Sequence, residues 1–463
     1  MSDSLIVIVG AGPAGMEAAL TLVRFGFRPV VIDAGAHSGG QIYRRVPDSH
    51  RRSYRAIYGF DAIKARYLHD AFDAICNAID YRPKTRVWAV HEGELFLDGP
   101  DGCTTLTYDK LILCTGAIDQ TFPVQGWEAK GCYSLGGAQI ALKSQALALG
   151  NPIGFVGAGP LLWLVAWQHR KAGAEVAGVW CTSTRRDLFF ALPWLVLRPR
   201  LALRGVRQIF ALWRAKIPIQ FGAQDIAVRT DSEGAVTGLC WSEGYKKTDT
   251  PLRALALGWH LQSETQLSQL LEIPSVSGQH RPVIDSVGRS SSQDVYMAGD
   301  GVEILGSDAA RTGGRMVATA VLDDLGIQKK RLDRLTALGD RVKHLWMRGF
   351  AKGLARAFPQ PDARYFLSLP ESTIICRCEG VSIATVSTAV ENWQCEDMNR
   401  LKAITRAGMG RCQGRYCSAT LAAFVAARTG RAPTEILRYR AQAPIYPTSI
   451  NLNACHAAKS DSR

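Results

Sequence analysis

The 463-residue sequence has no uninterrupted apolar run near the roughly 18–20 residues that a bilayer-spanning helix needs, so no such helix is expected. Its opening residues, MSDSLIVIVGAGPAG, lack a basic n-region and a small-residue cleavage site. That argues against a secretory signal and for a cytoplasmic location. The nine histidines form no H-x-x-H or HExxH pattern, which excludes the helical zinc-hydrolase arrangement. No Ser-His-Asp or paired-carboxylate signature stands out, and a lone His260 reads as a structural residue. Residues 1–330 contain no pair of cysteines close in sequence, which argues against a disulfide reductase; Cys114 reads as a buried small hydrophobe. No nucleic-acid motif accompanies the net charge of +14, so the basic balance implies a solvated surface or an acidic or anionic partner. Low-complexity tracts are absent too. With no side-chain constellation for difficult chemistry, that chemistry must come from cofactors.

What is present begins with a chain long enough for two to three domains. Residues 5–9, LIVIV, are a buried strand that runs into Gly10-Ala-Gly12-Pro13-Ala14-Gly15 and a helix from Pro13 to about Phe25; a second strand ends at Asp33. A lone G-x-G-x-x-G is weak, but strand, helix and an acid 23 residues past Gly10 supply the context of a dinucleotide site. Gly10 makes the tight turn, Gly12 admits the pyrophosphate, Gly15 lets helix and strand pack closely, and Asp33 would bind ribose hydroxyls. The helix N-terminus offers free N–H groups to phosphate. A helix is expected over 62–80, strands over 81–108, and a buried strand over 109–117.

The pattern recurs at Gly157-Ala-Gly159-Pro160-Leu-Leu162. Leu162 replaces the third glycine, and its branched side chain is expected to push helix and strand apart and crowd a pyrophosphate. The following strand ends without an acid but offers Arg185 and Arg186, which could hold a 2′-phosphate. Residues 188–214 are apolar with a basic stripe, open to three readings: core packing, a partner-subunit face or peripheral membrane contact.

Four of the twelve cysteines cluster: Cys376-Arg377-Cys378, then 33 residues, then Cys412-Gln-Gly-Arg415-Tyr-Cys417. Four thiolates can hold an iron–sulfur cluster or zinc. The C-x-C pair is tight around one ion, and the C-x4-C pair reaches around something larger, which favours the cluster; zinc and free thiols stay open. Gly408, Gly410 and Gly414 could bond cluster sulfurs, and Arg377, Arg411 and Arg415 could offset its charge. Cys395 and Cys455 do not fit the ligand pattern.

Two glycine loops, Thr115-Gly116 after the LILC strand, Gly39-Gly40-Gln41 and Gly299-Asp300 at a late strand end together resemble the two-dinucleotide-binding-domain flavoproteins, the glutathione-reductase-like superfamily. The resemblance implies FAD at the first loop, with Gly40 and Gln41 along the flavin, Thr115 and Gly116 near it, and Asp300 on its ribityl or phosphate. The string ICRCEGV…LKAITRAGMGRCQGRYC is similar to the bacterioferritin-associated-ferredoxin-like [2Fe–2S] module. The combination resembles the alpha subunits of bacterial dye-linked amino-acid and opine dehydrogenases, the group of opine oxidase, cyanide-forming glycine dehydrogenase and hydroxyproline and proline dehydrogenases.

The fold expected is α/β: tandem Rossmann-type domains of the glutathione-reductase kind plus a small helical [2Fe–2S] module. The divisions are an FAD-binding domain over 1–118 and 260–328, a second nucleotide-binding domain over 119–259, a helical connector over 329–370, the cluster module over 371–430 and a tail over 431–463 packing on the body. The resemblance implies an electron-transfer subunit in a hetero-oligomer with a flavin-bearing catalytic beta subunit and room for a small ferredoxin-like subunit. The second site could take ATP or NADP, or stand empty. The rivals are a stand-alone NAD(P)H-dependent reductase and a metal- or redox-sensing binding protein.

Overall fold

The computed structural model describes residues 4–448 apart from 48, 50–51, 277–280, 329–330 and 437–438. Strand Ile6–Val9 is the centre of a five-stranded parallel sheet ordered Val295–Met297, Lys110–Leu113, Ile6–Val9, Val30–Ile32, Asp80–Arg82. All four residues of the central strand are buried, as befits a parallel strand covered on both faces. A late strand, Val295–Met297, therefore completes a sheet that opens at residue 6. Helix Pro13–Arg24 lies on this sheet with Pro13 in its first turn. Its buried residues include Ala14, Gly15, Ala18 and Ala19, small enough to let it pack tightly on helix Ser307–Asp324. A Cβ at Gly314 would fall 2.1 Å from the Ala14 carbonyl oxygen, so this contact requires glycine.

The second sheet repeats the plan in parallel order Ile219–Phe221, Val176–Cys181, Ile153–Gly157, Ala254–Gly258, Cys132–Ser134. Each sheet carries an antiparallel three-stranded meander in its crossover, spanning 86–107 and 224–251. The antiparallel strands Ala117–Gln120 and His260–Ser263 join the two halves.

The helix expected over 62–80 ends at Ala74, and Asp80–Arg82 is a strand. It pairs with Val30–Ile32 at the sheet edge, so tertiary pairing overrides local pattern there. Helix Arg331–Ala357 follows the first domain and is tied to it by Arg315–Asp340 and Arg348–Glu303 ion pairs of 2.8 and 2.7 Å. The cysteine-bearing segment forms a hairpin, Ile374–Cys376 with Val381–Ser382, and helices Ile383–Trp393, Met398–Thr405 and Ser418–Thr429. Its apolar residues, among them Ile375, Leu421 and Phe424, join Phe122, Trp127 and Phe155 of the second half in one continuous core. Beyond it the chain turns back: buried Ile445 donates its N–H to the Trp88 carbonyl at 2.9 Å.

Candidate functional site

The first glycine loop is shaped by what glycine lacks. Gly10 has φ +108°, and a Cβ there would fall 2.3 Å from the Cys114 carbonyl oxygen. A Cβ at Gly15 would fall 1.8 Å from the Gly10 carbonyl oxygen. Across the cleft Gly40, φ +60°, brings its backbone so near Gly12 that its Cβ would sit 2.9 Å from the Gly12 Cα. The Gly39 N–H donates to the Ala11 carbonyl at 2.8 Å. A Cβ at Gly299 would meet the Ala14 methyl group at 2.9 Å, and one at Gly301 would meet the Thr115 hydroxyl at 2.7 Å. Gly10, Gly12, Pro13, Ala14, Gly15, Gly40, Thr115, Gly116, Gly299 and Asp300 thus converge around the N-terminus of helix Pro13–Arg24. This is a bare-backbone cradle that a side chain would fill, at the positive end of a helix dipole, and it fits a pyrophosphate.

Asp33 is held by the loop backbone. One of its carboxylate oxygens accepts the Ala11 N–H at 2.5 Å and the other accepts the Gly35 N–H at 2.6 Å. Its short side chain stays on the loop backbone, and burial raises its carboxyl above the ordinary range against the pull of those two N–H groups. A carboxylate has about four acceptor positions, so two remain for ribose hydroxyls. Asp300 likewise uses one oxygen, accepting the Leu305 and Gly306 N–H groups at 3.1 Å each, and burial raises its carboxyl. Gln41 is exposed, its side-chain oxygen accepting from Arg44 at 2.8 Å.

In the second loop Gly157 and Gly159 have φ +140° and +104°, and Pro160 opens the helix Pro160–Lys171. The side chain of Leu162 is fully buried in the core of the second half. Arg185 and Arg186 are exposed in the first turn of helix Arg185–Leu195, with Arg185 5.9 Å from the centre of the Phe221 ring. The nearby acid, Asp187, is spent on a capping box with Thr184.

The four cysteines come together. The Cys376 and Cys378 sulfurs are 4.0 Å apart, Cys378 and Cys412 are 3.6 Å apart, and Cys417 contacts Cys376. Among the described residues no three His, Cys, Asp or Glu side chains converge as they would on a single metal ion. The four thiols instead form a contiguous run of sulfur contacts, the donor set of a polynuclear centre. The Cys376 thiol is pushed up to about 12, with Cys378 pulling it down and Cys417 pushing it up, and contact with Cys378 and then burial raise Cys412. Contact and burial thus disfavour the thiolates, and a bound cationic centre would supply the compensating charge. The Gly408 N–H donates to the Cys376 sulfur at 3.4 Å, and a Cβ at Gly410 would meet the Cys378 sulfur at 2.5 Å. Cys395 is buried in the core and its sulfur donates to the Asp397 carbonyl at 4.0 Å; Cys455 lies outside the described residues.

Two of the three arginines expected to offset cluster charge also bond groups outside the cysteine pairs. Arg377 donates to the Cys132 carbonyl at 2.9 Å and lies over the Trp127 ring. Arg415 donates its Nε to Glu264 of the first domain at 2.5 Å and its Nη1 to the Cys412 carbonyl at 3.3 Å. Sequence reasoning missed Glu264 and its neighbours Gln262 and Gln266, and Tyr439. The Tyr439 ring closes over the loop so tightly that a Cβ at Gly408 would approach it to 2.4 Å. Residues 188–214 form two helices, Arg185–Leu195 and Pro199–Arg214. Core packing is not their main role: Phe189, Phe190, Val196, Val206, Phe210 and Trp213 are all at least half exposed.

Comparison with known proteins finds a family model over each of the two regions. The family described as pyridine nucleotide-disulphide oxidoreductase matches residues 4–321, and the BFD-like [2Fe-2S] binding domain matches residues 374–427. The opine oxidase A subunit of Rhizobium meliloti is 32% identical over 96% of this chain and 86% of the relative. Hydrogen cyanide synthase subunit HcnB of Pseudomonas aeruginosa is 33% identical over 94% of this chain and 95% of the relative. Among solved structures, L-proline dehydrogenase from P. horikoshii superposes with a TM-score of 0.68 at 17% identity, covering 97% of this chain and 79% of that one.

Proposed function

This chain belongs to the pyridine nucleotide-disulphide oxidoreductase family, and from that membership we propose that it is the FAD- and [2Fe–2S]-containing electron-transfer subunit of a multi-subunit amino-acid or opine dehydrogenase. A partner subunit with its own flavin would oxidise the C–N bond, and a small ferredoxin-like subunit could complete the hetero-oligomer. The observation that carries this reading is the pairing, on one continuous body, of a bare-glycine dinucleotide cradle with a four-thiol centre. Its relatives from opine oxidase and hydrogen cyanide synthase are both named as subunits, which supports an assembly.

In this reading Gly10, Gly12 and Gly15 receive the pyrophosphate, Asp33 takes ribose hydroxyls on its free lone pairs, and Asp300 holds the ribityl or phosphate end. Gly40 and Gln41 flank the flavin, with Thr115 and Gly116 beside it. Cys376, Cys378, Cys412 and Cys417 hold the cluster, and Tyr439 excludes water from its loop. Bound there, a flavin would supply the capacity to take electrons in pairs and release them singly, and a [2Fe–2S] cluster would accept them one at a time. The exposed apolar helices Arg185–Leu195 and Pro199–Arg214 support a partner face, since contiguous apolar surface of this kind marks an interaction site.

A second reading rests on Arg185 and Arg186, whose exposed guanidinium groups beside the second loop could hold the 2′-phosphate of NADPH. Anaerobic purification of the isolated chain separates the two. We expect about one flavin and roughly two irons per chain, with a spectrum that NADPH leaves unbleached. Bleaching by NADPH would favour the stand-alone reductase, and zinc in place of iron would remove the cluster.

A further inference from the structure

Residues 262–266 read Gln-Ser-Glu-Thr-Gln and run from the strand His260–Ser263 into helix Gln266–Leu270. Their side chains divide as alternation along extended backbone requires. The Gln262 amide donates to the Arg415 backbone carbonyl at 2.5 Å. Glu264 accepts from the Arg415 Nε at 2.5 Å, and the Gln266 amide donates to the Gln413 carbonyl at 2.6 Å. All three bonds go to the loop between Cys412 and Cys417. Ser263, between them, turns the other way and donates to the Asp300 carbonyl at 2.7 Å. The Glu264 backbone serves the same side: its N–H donates to the Gly116 carbonyl at 3.0 Å, and its carbonyl accepts the Thr115 hydroxyl at 2.8 Å. One five-residue segment therefore grips the cysteine loop with one face and the flavin-site segments with the other.

The centre of this segment is a buried ion pair, with Arg415 and Glu264 side chains 6% and 8% exposed. Arg415 also lies 3.8 Å from the centre of the Tyr446 ring and donates to the Ile445 carbonyl. Desolvation cancels much of the Coulomb gain of such a pair, so stability is a weak reason to keep it. Nor is it needed merely to dock the cysteine module. Trp127 donates to the Ile374 carbonyl, Arg377 to the Cys132 carbonyl and Thr420 to the Thr121 carbonyl, all independently of it.

We propose that residues 262–266 are the electron-transfer bridge between the two centres, with Glu264 as the positioning residue that fixes the cysteine loop against the Thr115–Gly116 turn. This rests on the cofactor assignment above. Each crossing takes one electron from reduced flavin and adds it to oxidised cluster. Two crossings clear a two-electron-reduced flavin, its protons leave to water, and a one-electron acceptor must drain the cluster between them.

The test uses the full chain loaded with both centres. A sub-stoichiometric pulse of viologen radical supplies one electron, and its redistribution is followed in the flavin and cluster absorption bands. The wild-type chain should redistribute it at a rate independent of protein concentration. Glu264→Gln should slow this several-fold, with flavin and iron contents unchanged. Glu264→Asp should recover part of the rate. Gln262→Leu and Gln266→Leu, which leave the ion pair intact, should each slow it too, and they decide the matter if Glu264→Gln sheds the cluster. Wild-type rates in loaded variants would overturn the bridge. A wild-type chain lacking either centre would instead overturn the cofactor assignment beneath it.

Discussion

At the scale of residues, the flavin cradle depends on positions where a single carbon has no room. Gly15→Ala would press a methyl group against the Gly10 carbonyl oxygen. We expect a loss of about 2–4 kcal/mol in urea unfolding together with loss of bound flavin. Gly339, in mid-helix with nothing within 4 Å of its would-be Cβ, is the control. Gly339→Ala should stabilise by roughly 0.5–1 kcal/mol in the same assay. His69 makes a pH-dependent contribution. It bonds the Tyr43 carbonyl at 2.8 Å and the Tyr54 hydroxyl at 3.0 Å, and burial, then Arg45, lowers its pKa to about 4. In the unfolded chain it titrates near 6.5. Between those values the unfolded state binds a proton that the folded state refuses. Stability should therefore be full above about pH 6.5 and fall by about 1–3 kcal/mol as pH drops towards 4. His69→Gln should flatten that part of the urea-midpoint profile; an unchanged slope would assign it to other groups.

Elements show where sequence suffices and where it fails. LIVIV, the first glycine loop and the ends of helix Pro13–Arg24 are legible because each is locally determined: a continuous apolar run, a glycine spacing, a proline at the first turn. The four cysteines are legible from spacing alone. Asp80–Arg82 is not, because three half-buried polar residues become a strand only through the edge of Val30–Ile32. Gln262, Glu264 and Gln266 carry a period-two polar pattern visible in the sequence, but their partners lie about 150 residues away, which no local rule supplies. The helix Pro199–Arg214 is strongly amphipathic, yet only the structure reveals that Val206, Phe210 and Trp213 face outward, flanked by exposed Arg207 and Arg214. Phe210→Ser combined with Trp213→Ser should abolish co-purification with a co-expressed partner while leaving flavin and iron contents at wild-type values. Retained co-purification would place the partner elsewhere.

For the whole molecule, no helix among the described residues is long and apolar enough to cross a membrane. The apolar surface on Arg185–Leu195, Pro199–Arg214 and the outer face of Arg331–Ala357, where Leu338, Leu345 and Trp346 are exposed, is therefore not a bilayer span. It fits the partner face proposed above, on a chain that carries both a dinucleotide cradle and a four-thiol centre. Such a chain works only if electrons flow through the assembly. The most direct test is to co-express the chain with its genomic neighbours, purify the complex anaerobically, and add candidate amino acids and opines while recording the flavin and cluster bands. We expect one such substrate to bleach both sets of bands in the complex, and no substrate to bleach them in the isolated chain. Bleaching of the isolated chain by an amino acid, or a complex whose cluster bands never respond, would contradict the electron-transfer role.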